Sequence, residues 1–225
     1  MNADVKEVVL TLLQGRQYIF SLFHTLLGDL PTTELCAAAA GENSLRAVAL
    51  FAEDASEAPK KLLDVLTLLQ WADKEALKGE YTHLFLGPNE LPAPPWESVY
   101  MGSERALFQA STLAVHKWYE QYGYVPKSYP HAPDDHISLM MHFLALLCGR
   151  AVEALQAEQW ETYRDLLAAQ LLFEQNHLMN WLPTYAADMQ KSQTKVFYPQ
   201  LAEAVRDMIA YDNSLLLEIM DSEQR

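Results

Sequence analysis

The densest set of ionisable side chains in the sequence is Ala132-Pro133-Asp134-Asp135-His136. A carboxylate beside an imidazole can serve as half of an acid/base pair, contribute to a metal site, or present acceptors to a bound cation. The same residues also spell a helix start. Pro133 fits the first helical position, and Asp134 and Asp135 set negative charge at the positive end of the helix dipole, leaving His136 partly exposed. His131, His136 and His142 are spaced by five and six, not by the four that places two imidazoles on one helix face, which argues against a metal centre. Cys36 and Cys148 stand in no reactive context, and there is no Gly-x-Ser-x-Gly elbow. The eight glycines form neither phosphate-binding loop motif, so no cofactor is expected.

A second candidate is the block Tyr81 to Tyr100, which carries Leu84, Phe85, Pro95, Trp96, Ser98 and Tyr100. Four prolines within residues 87–96 remove backbone donors, so this stretch is predicted to be an irregular, stiff loop. Such a loop loses little entropy on binding, and Phe85, Trp96 and Tyr100 could wall an apolar groove. The competing reading is that these aromatics are packed core. His177 and Trp181, at i,i+4, read as an internal packing contact.

The elements that must position these residues are helical throughout. Val8, Leu12, Ile19, Leu22, Phe23, Leu26 and Leu27 predict a long first helix ending at Gly28-Asp29-Leu30-Pro31. Shorter helices are predicted from Glu34 to Ala40 and after a capping Ser44, then one with Pro59 in its first turn and another from Trp71 through Leu86. Ser103 is expected to open a helix closed by Gly123, followed by a loop from Tyr124 to Ala132 and a helix beginning at Pro133. Trp160 to Leu172, His177 to Met189 and Val196 to Met220 complete the set, with Pro183 kinking the second of these or resetting its start. No segment alternates as a strand, and no repeat or composition break divides the chain. The expectation is one all-α domain over residues 1–225, a bundle of about nine to eleven helices.

Composition narrows the partners. Half the residues are hydrophobic, enough for a large core. A formal charge of −14, with no basic cluster longer than Lys60-Lys61, disfavours nucleic acid and anionic membranes and favours a cationic peptide. The first residues lack a basic, apolar leader and no run approaches the ~20 apolar residues of a membrane span, so a cytoplasmic location is expected.

Three groups of residues together resemble the TorD/DmsD family of redox-enzyme maturation chaperones, nearest its DmsD branch. They are Tyr81-x-x-Leu84-Phe85-x-Gly87-Pro88, Pro94-Pro95-Trp96-x-Ser98-Val99-Tyr100 and Pro133-x-Asp135-His136, with His177-Leu-x-x-Trp181 and Phe197-Tyr198 in support. The resemblance implies an all-helical protein without catalytic activity, which binds the twin-arginine signal peptide of a molybdopterin-containing reductase of anaerobic respiration and delays export until the cofactor is inserted. It also implies a peptide groove comprising Tyr81, Leu84, Phe85, Pro95, Trp96, Ser98, Tyr100, Phe108, Ser111, Pro133, Asp135 and His136, with Asp135 orienting His136 or meeting a guanidinium. Two positions depart from the family pattern: Ala132 stands where an acid is usual and Glu97 where glycine is usual. A monomer is expected, with domain-swapped dimers known in the family. The alternatives are a chaperone of a redox subunit without an export signal, as NarJ-type proteins are, and a metal-dependent hydrolase using Asp134, Asp135 and His136.

Overall fold

The computed structural model describes residues 2–52, 56–88, 90–102, 106–126 and 133–222. Among these residues run α1 (Ala3–Gly28), α2 (Thr33–Ala39), α3 (Glu42–Ala49), α4 (Glu57–Trp71), α5 (Lys74–Tyr81), a π-helical turn (Thr82–Leu86), α6 (Glu97–Met101), α7 (Ala110–Gln121), α8 (Ile137–Gln156), α9 (Trp160–His177), α10 (Leu182–Lys191) and α11 (Tyr198–Ser222), with no strand. The all-α expectation and its helix number hold.

Local chemistry explains most boundaries. Asn2 caps α1 by accepting from the Val5 amide at 2.9 Å, and Thr32 and Asp73 do the same for α2 and α5. Pro59 lies in the first turn of α4, and Pro183 starts α10 rather than kinking a longer helix. Four boundaries differ from expectation. Ser44 lies inside α3, where its hydroxyl donates to Ala38 O, and Gly41 holds the cap position. The stretch from Trp71 to Leu86 breaks after Trp71 because Ala72 and Asp73 are extended, so α5 begins with its own cap. The helix expected from Ser103 begins only at Ala110, since Phe108 adopts φ 59° and interrupts the helical path; Ser103 lies outside the described residues, as do His131 and Ala132. Finally α8 begins at Ile137, not Pro133, with His136 as its cap.

Helix α8 is the centre of the fold. Its buried residues, among them Ile137, Met140, Met141, Phe143, Leu144, Leu147, Cys148, Ala151 and Leu155, cover more than one face. By length and composition it is the one helix among the described residues that could cross a membrane, yet 67% of its most apolar stretch is buried inside the fold. Helix α1 packs antiparallel along it. Small residues allow the close approach: a Cβ on Gly28 would press on Ser138 of α8, and a Cβ on Gly149 of α8 would meet the Gln17 side chain of α1. Helix α9 closes the other side, α11 packs against α9, α10 and α4, and the buried residues from Val9 to Ile219 form one continuous cluster.

Buried polar side chains tie helices distant in sequence. Glu80 of α5 accepts from the amides of Val196, Phe197 and Tyr198 at 2.8, 2.7 and 3.0 Å, satisfying the free donors at the start of α11. Arg16 of α1, 1% exposed, makes a two-pronged pair with Asp212 of α11, both bonds 2.7 Å. Glu174 of α9 and Asn213 continue this network at 3.2 Å, and burial, reinforced by the Asp212 charge, raises the Glu174 carboxyl well above its ordinary range. Arg16→Met would strand a buried carboxylate at Asp212 and is expected to cost about 3–5 kcal/mol in urea unfolding, whereas Arg16→Met with Asp212→Leu should recover most of that loss.

Candidate functional site

The Pro94-Pro95-Trp96 loop and the Pro133–His136 turn are joined to each other. Ile137 N donates to Pro95 O at 2.9 Å, Glu97 N to Asp135 O at 3.2 Å, and Ser98 N to Asp135 Oδ2 at 2.7 Å. Trp96 and His136 form an isolated antiparallel bridge, with their rings edge to face at 5.2 Å. The turn thus keeps the start of α8 for this pairing, which is why Asp134 and Asp135 do not serve as first-turn acids. Pro95 and Pro133 are buried, Ser98 and Asp135 are fully buried, and Trp96 and His136 are half-buried.

His136 and Asp135 have separate tasks. The Nδ1 of His136 accepts from the Ser138 amide at 3.1 Å, capping α8 and placing any proton of the neutral ring on Nε2. Burial, with a smaller contribution from His24, lowers the His136 pKa to about 4. Asp135 orients the amide of Ser98 instead. Its neighbour Asp134, 4% exposed, takes His116 Nδ1 of α7 at 2.6 Å on Oδ2, while the Tyr119 hydroxyl donates to Asp134 O at 3.0 Å. The hydrogen bond to Asp134 raises the His116 pKa.

Six buried polar atoms in this region have no hydrogen-bond partner among the described residues: Asp134 Oδ1, Asp135 Oδ1, Ser98 Oγ, Trp96 Nε1, Ser111 Oγ and Thr112 Oγ1. Ser111 and Thr112 occupy the first turn of α7, and Thr112 lies one turn from His116, the partner of Asp134. All six atoms except Trp96 Nε1 can accept a hydrogen bond, so the set suits a ligand rich in N–H donors. Just before it, and on the outer side of α7, Leu107, Phe108 and Leu113 are 40%, 66% and 65% exposed. No group of three or more His, Cys, Asp or Glu among the described residues is arranged to hold a metal.

The other candidate residues lie elsewhere. Tyr100 stacks on Trp181 at 5.4 Å and meets the edge of Tyr185. Tyr81 and Phe85 stack at 4.8 Å and pack on Tyr198, with Leu84 fully buried beside them. Tyr185 packs on both Tyr100 and Trp181. Sequence reasoning passed over Glu97 as a contact: it is 2% exposed, and His177 Nδ1 sits 3.1 and 3.2 Å from its two oxygens. Trp181 Nε1 donates to His177 O at 2.7 Å, so the i,i+4 pair does make the expected internal contact.

His136 has a measurable consequence. Because its folded pKa lies below the unfolded value of 6.5, the unfolded chain binds the extra proton first, and stability falls as pH drops from about 6.5 toward 4. His136→Asn retains a capping side chain without the titration. The difference in urea midpoint between variant and wild type should therefore shift in favour of the variant across that interval, and a pH-independent difference would remove His136 as its source.

The family described as Nitrate reductase delta subunit matches this chain over residues 49–187. A Haemophilus influenzae protein named "Probable Tat proofreading chaperone DmsD" is 30% identical over 138 residues, 61% of each chain. The Tat proofreading chaperone DmsD of Salmonella typhi is 28% identical over 151 residues, 66% of each chain. The chaperone protein TorD of Photobacterium profundum is 27% identical over 161 residues, 72% of this chain and 73% of its own. The match thus spans somewhat under two thirds of the first two relatives, and all three bear the names of chaperones rather than of enzymes. With a family match over most of its length and relatives of these names, the chain belongs to the nitrate reductase delta subunit family, in its TorD/DmsD group of redox-enzyme maturation chaperones.

Proposed function

We propose that this chain is a cytoplasmic, single-domain chaperone that binds the twin-arginine signal peptide of a molybdopterin-containing reductase, of the dimethyl sulfoxide or trimethylamine N-oxide type, and holds the precursor during cofactor insertion before export. The observation that carries the reading is the set of unpartnered acceptors at Asp134, Asp135, Ser98, Ser111 and Thr112 beside the exposed apolar side chains of Leu107, Phe108 and Leu113. A twin-arginine signal has the complementary order: guanidinium groups with several N–H donors, followed by an apolar run. The net charge of −14 draws such a cation toward the protein. On this reading Asp135 and Asp134 receive the guanidinium, and Trp96 and Phe108 contact the apolar part. The Pro95 carbonyl joins the two loops, Tyr81, Leu84, Phe85 and Tyr100 belong to the packed aromatic core rather than to the contact surface, Pro133 is buried at the start of its turn, and His136 fixes the start of α8.

Calorimetric titration with signal peptides of candidate reductases tests this. Asp135→Asn keeps an acceptor for Ser98 N but removes the charge, and should weaken binding by about tenfold or more. Phe108→Ser, at an exposed position, should weaken it by a similar factor without loss of stability. Unchanged affinity in both variants would reject the site. The family description favours a second reading, a chaperone of a redox subunit with no export signal; capture of the subunit lacking its signal, with no binding of any signal peptide, would establish it.

A further inference from the structure

We propose that the amino-terminal turns of α1 and the carboxy-terminal half of α11 form a second docking surface, which takes a basic amphipathic helix of a partner protein. A groove of about 340 Å³ runs between the two helices. Val9 and Ile219, 3% and 4% exposed, form its floor, Val5, Leu12 and Leu215 its walls, and Val8 stands 60% exposed at its edge. On the other side of Val8 lies a trough of about 450 Å³ that reaches Leu50, itself 45% exposed. Val8 is thus a ridge between two apolar depressions, and an apolar helix face can seat on either side of it.

Charge selects the occupant. Asp4, Glu7 and Glu218 border these depressions, and none of the three forms an ion pair among the described residues. Lys6, the one base in the first three turns of α1, is drawn away to Glu158 at 3.1 Å and to the Trp160 ring at 5.9 Å. Residues 207–222 of α11 contain no base at all. An apolar floor with an unneutralised acidic rim fits a helix with an apolar stripe flanked by Lys or Arg. It disfavours anionic lipid, and a second copy of a chain with charge −14 would be repelled. The stripe Asp4, Val8, Leu12 is about 12 Å long at ~1.5 Å per residue, so two to three turns of a partner helix suffice.

This surface is separate from the signal-peptide site. Gly28, at the far end of α1, abuts Ser138 next to His136, and about 30 Å of helix axis separates it from Val8. The inference goes beyond the proposed function and does not depend on it.

Fluorescence anisotropy with a dye-labelled Leu/Lys amphipathic peptide of about 16 residues, long enough to form a helix, is the test, alongside the same peptide with every Lys replaced by Glu. The Leu/Lys peptide should bind wild type and weaken as salt is raised, and it should bind at least about tenfold more weakly to Val8→Asp and to the double variant Asp4→Lys/Glu218→Lys. All three positions are exposed, so the variants should keep the wild-type melting temperature. Absence of binding, equal affinity for wild type and both groove variants, or equal affinity for the Glu peptide would overturn the proposal. So would a Val8-dependent change in sedimentation of the protein alone, which would make the occupant a second copy of the chain.

Discussion

The structure depends on the burial of α8. A helix of 20 residues with apolar side chains around most of its circumference is unstable in water unless other elements surround it. Each Leu, Phe or Met removed from solvent contributes about 1.5–3 kcal/mol, and the sum over α8 outweighs the entropy of ordering its neighbours. Helix α1 supplies one wall, with the Ser138 and Gln17 side chains seated against Gly28 and Gly149, while α9 supplies the other and α11 backs α9. Once α8 is fixed, so is its first residue, and the Pro133–His136 turn is placed between the Pro95–Ser98 loop and α7. The candidate site is therefore a product of core packing.

Polar groups inside this core set register more than they add stability. The Arg16–Asp212 pair joins residues 196 positions apart, and Glu80 holds the first amides of α11 from 116 to 118 positions away. Desolvation of two charges offsets much of their attraction, but a slid or rotated α11 would leave both unpaired, at a cost of several kcal/mol. Cys148 belongs to the same region: its thiol donates to Gln170 Oε1 at 3.0 Å, and burial pushes its pKa up to about 12, so it is a neutral packing group and not a nucleophile. Glu97 and His177 act likewise between α6 and α9.

The helices were legible in the sequence where apolar periodicity and punctuation agree. Asn2 and the Gly28–Pro31 stop frame α1, Gly123 closes α7 at φ 61°, and Pro183 opens α10. Reading failed where a long-range contact overrides local signals. Pro133-Asp134-Asp135 has the composition of a first helical turn, yet pairing with Glu97 and Ser98 holds it outside α8. Leu107 and Phe108 match the period of α7 but face solvent. The site was half visible for the same reason. Asp135 and His136 announce themselves by residue type, whereas His116 opposite Asp134, and His177 opposite Glu97 at 80 positions' separation, become partners only when α7 and α9 are in place.

The remaining features are costs that packing does not explain. A buried acceptor without a partner forfeits about 1–3 kcal/mol, and several are gathered between α6, α7 and the start of α8. Next to them Phe108 exposes an aromatic ring from a left-handed backbone position that only glycine and asparagine adopt readily. Marginally stable proteins retain such features where a ligand relieves them. A guanidinium could satisfy the acceptors and an apolar helix could cover Phe108, so the two defects are relieved by one ligand with both parts. A hydrolase would need something different: a nucleophile activated by a base, or a metal held by several ligands. Here the Nδ1 of His136 is committed to the α8 cap, the Nε2 of His116 faces Glu120 at 3.4 Å, and the Ser98 hydroxyl has no hydrogen-bond partner among the described residues. On the proposed reading, the acceptors and the ring of Phe108 together suit recognition of a donor-rich peptide.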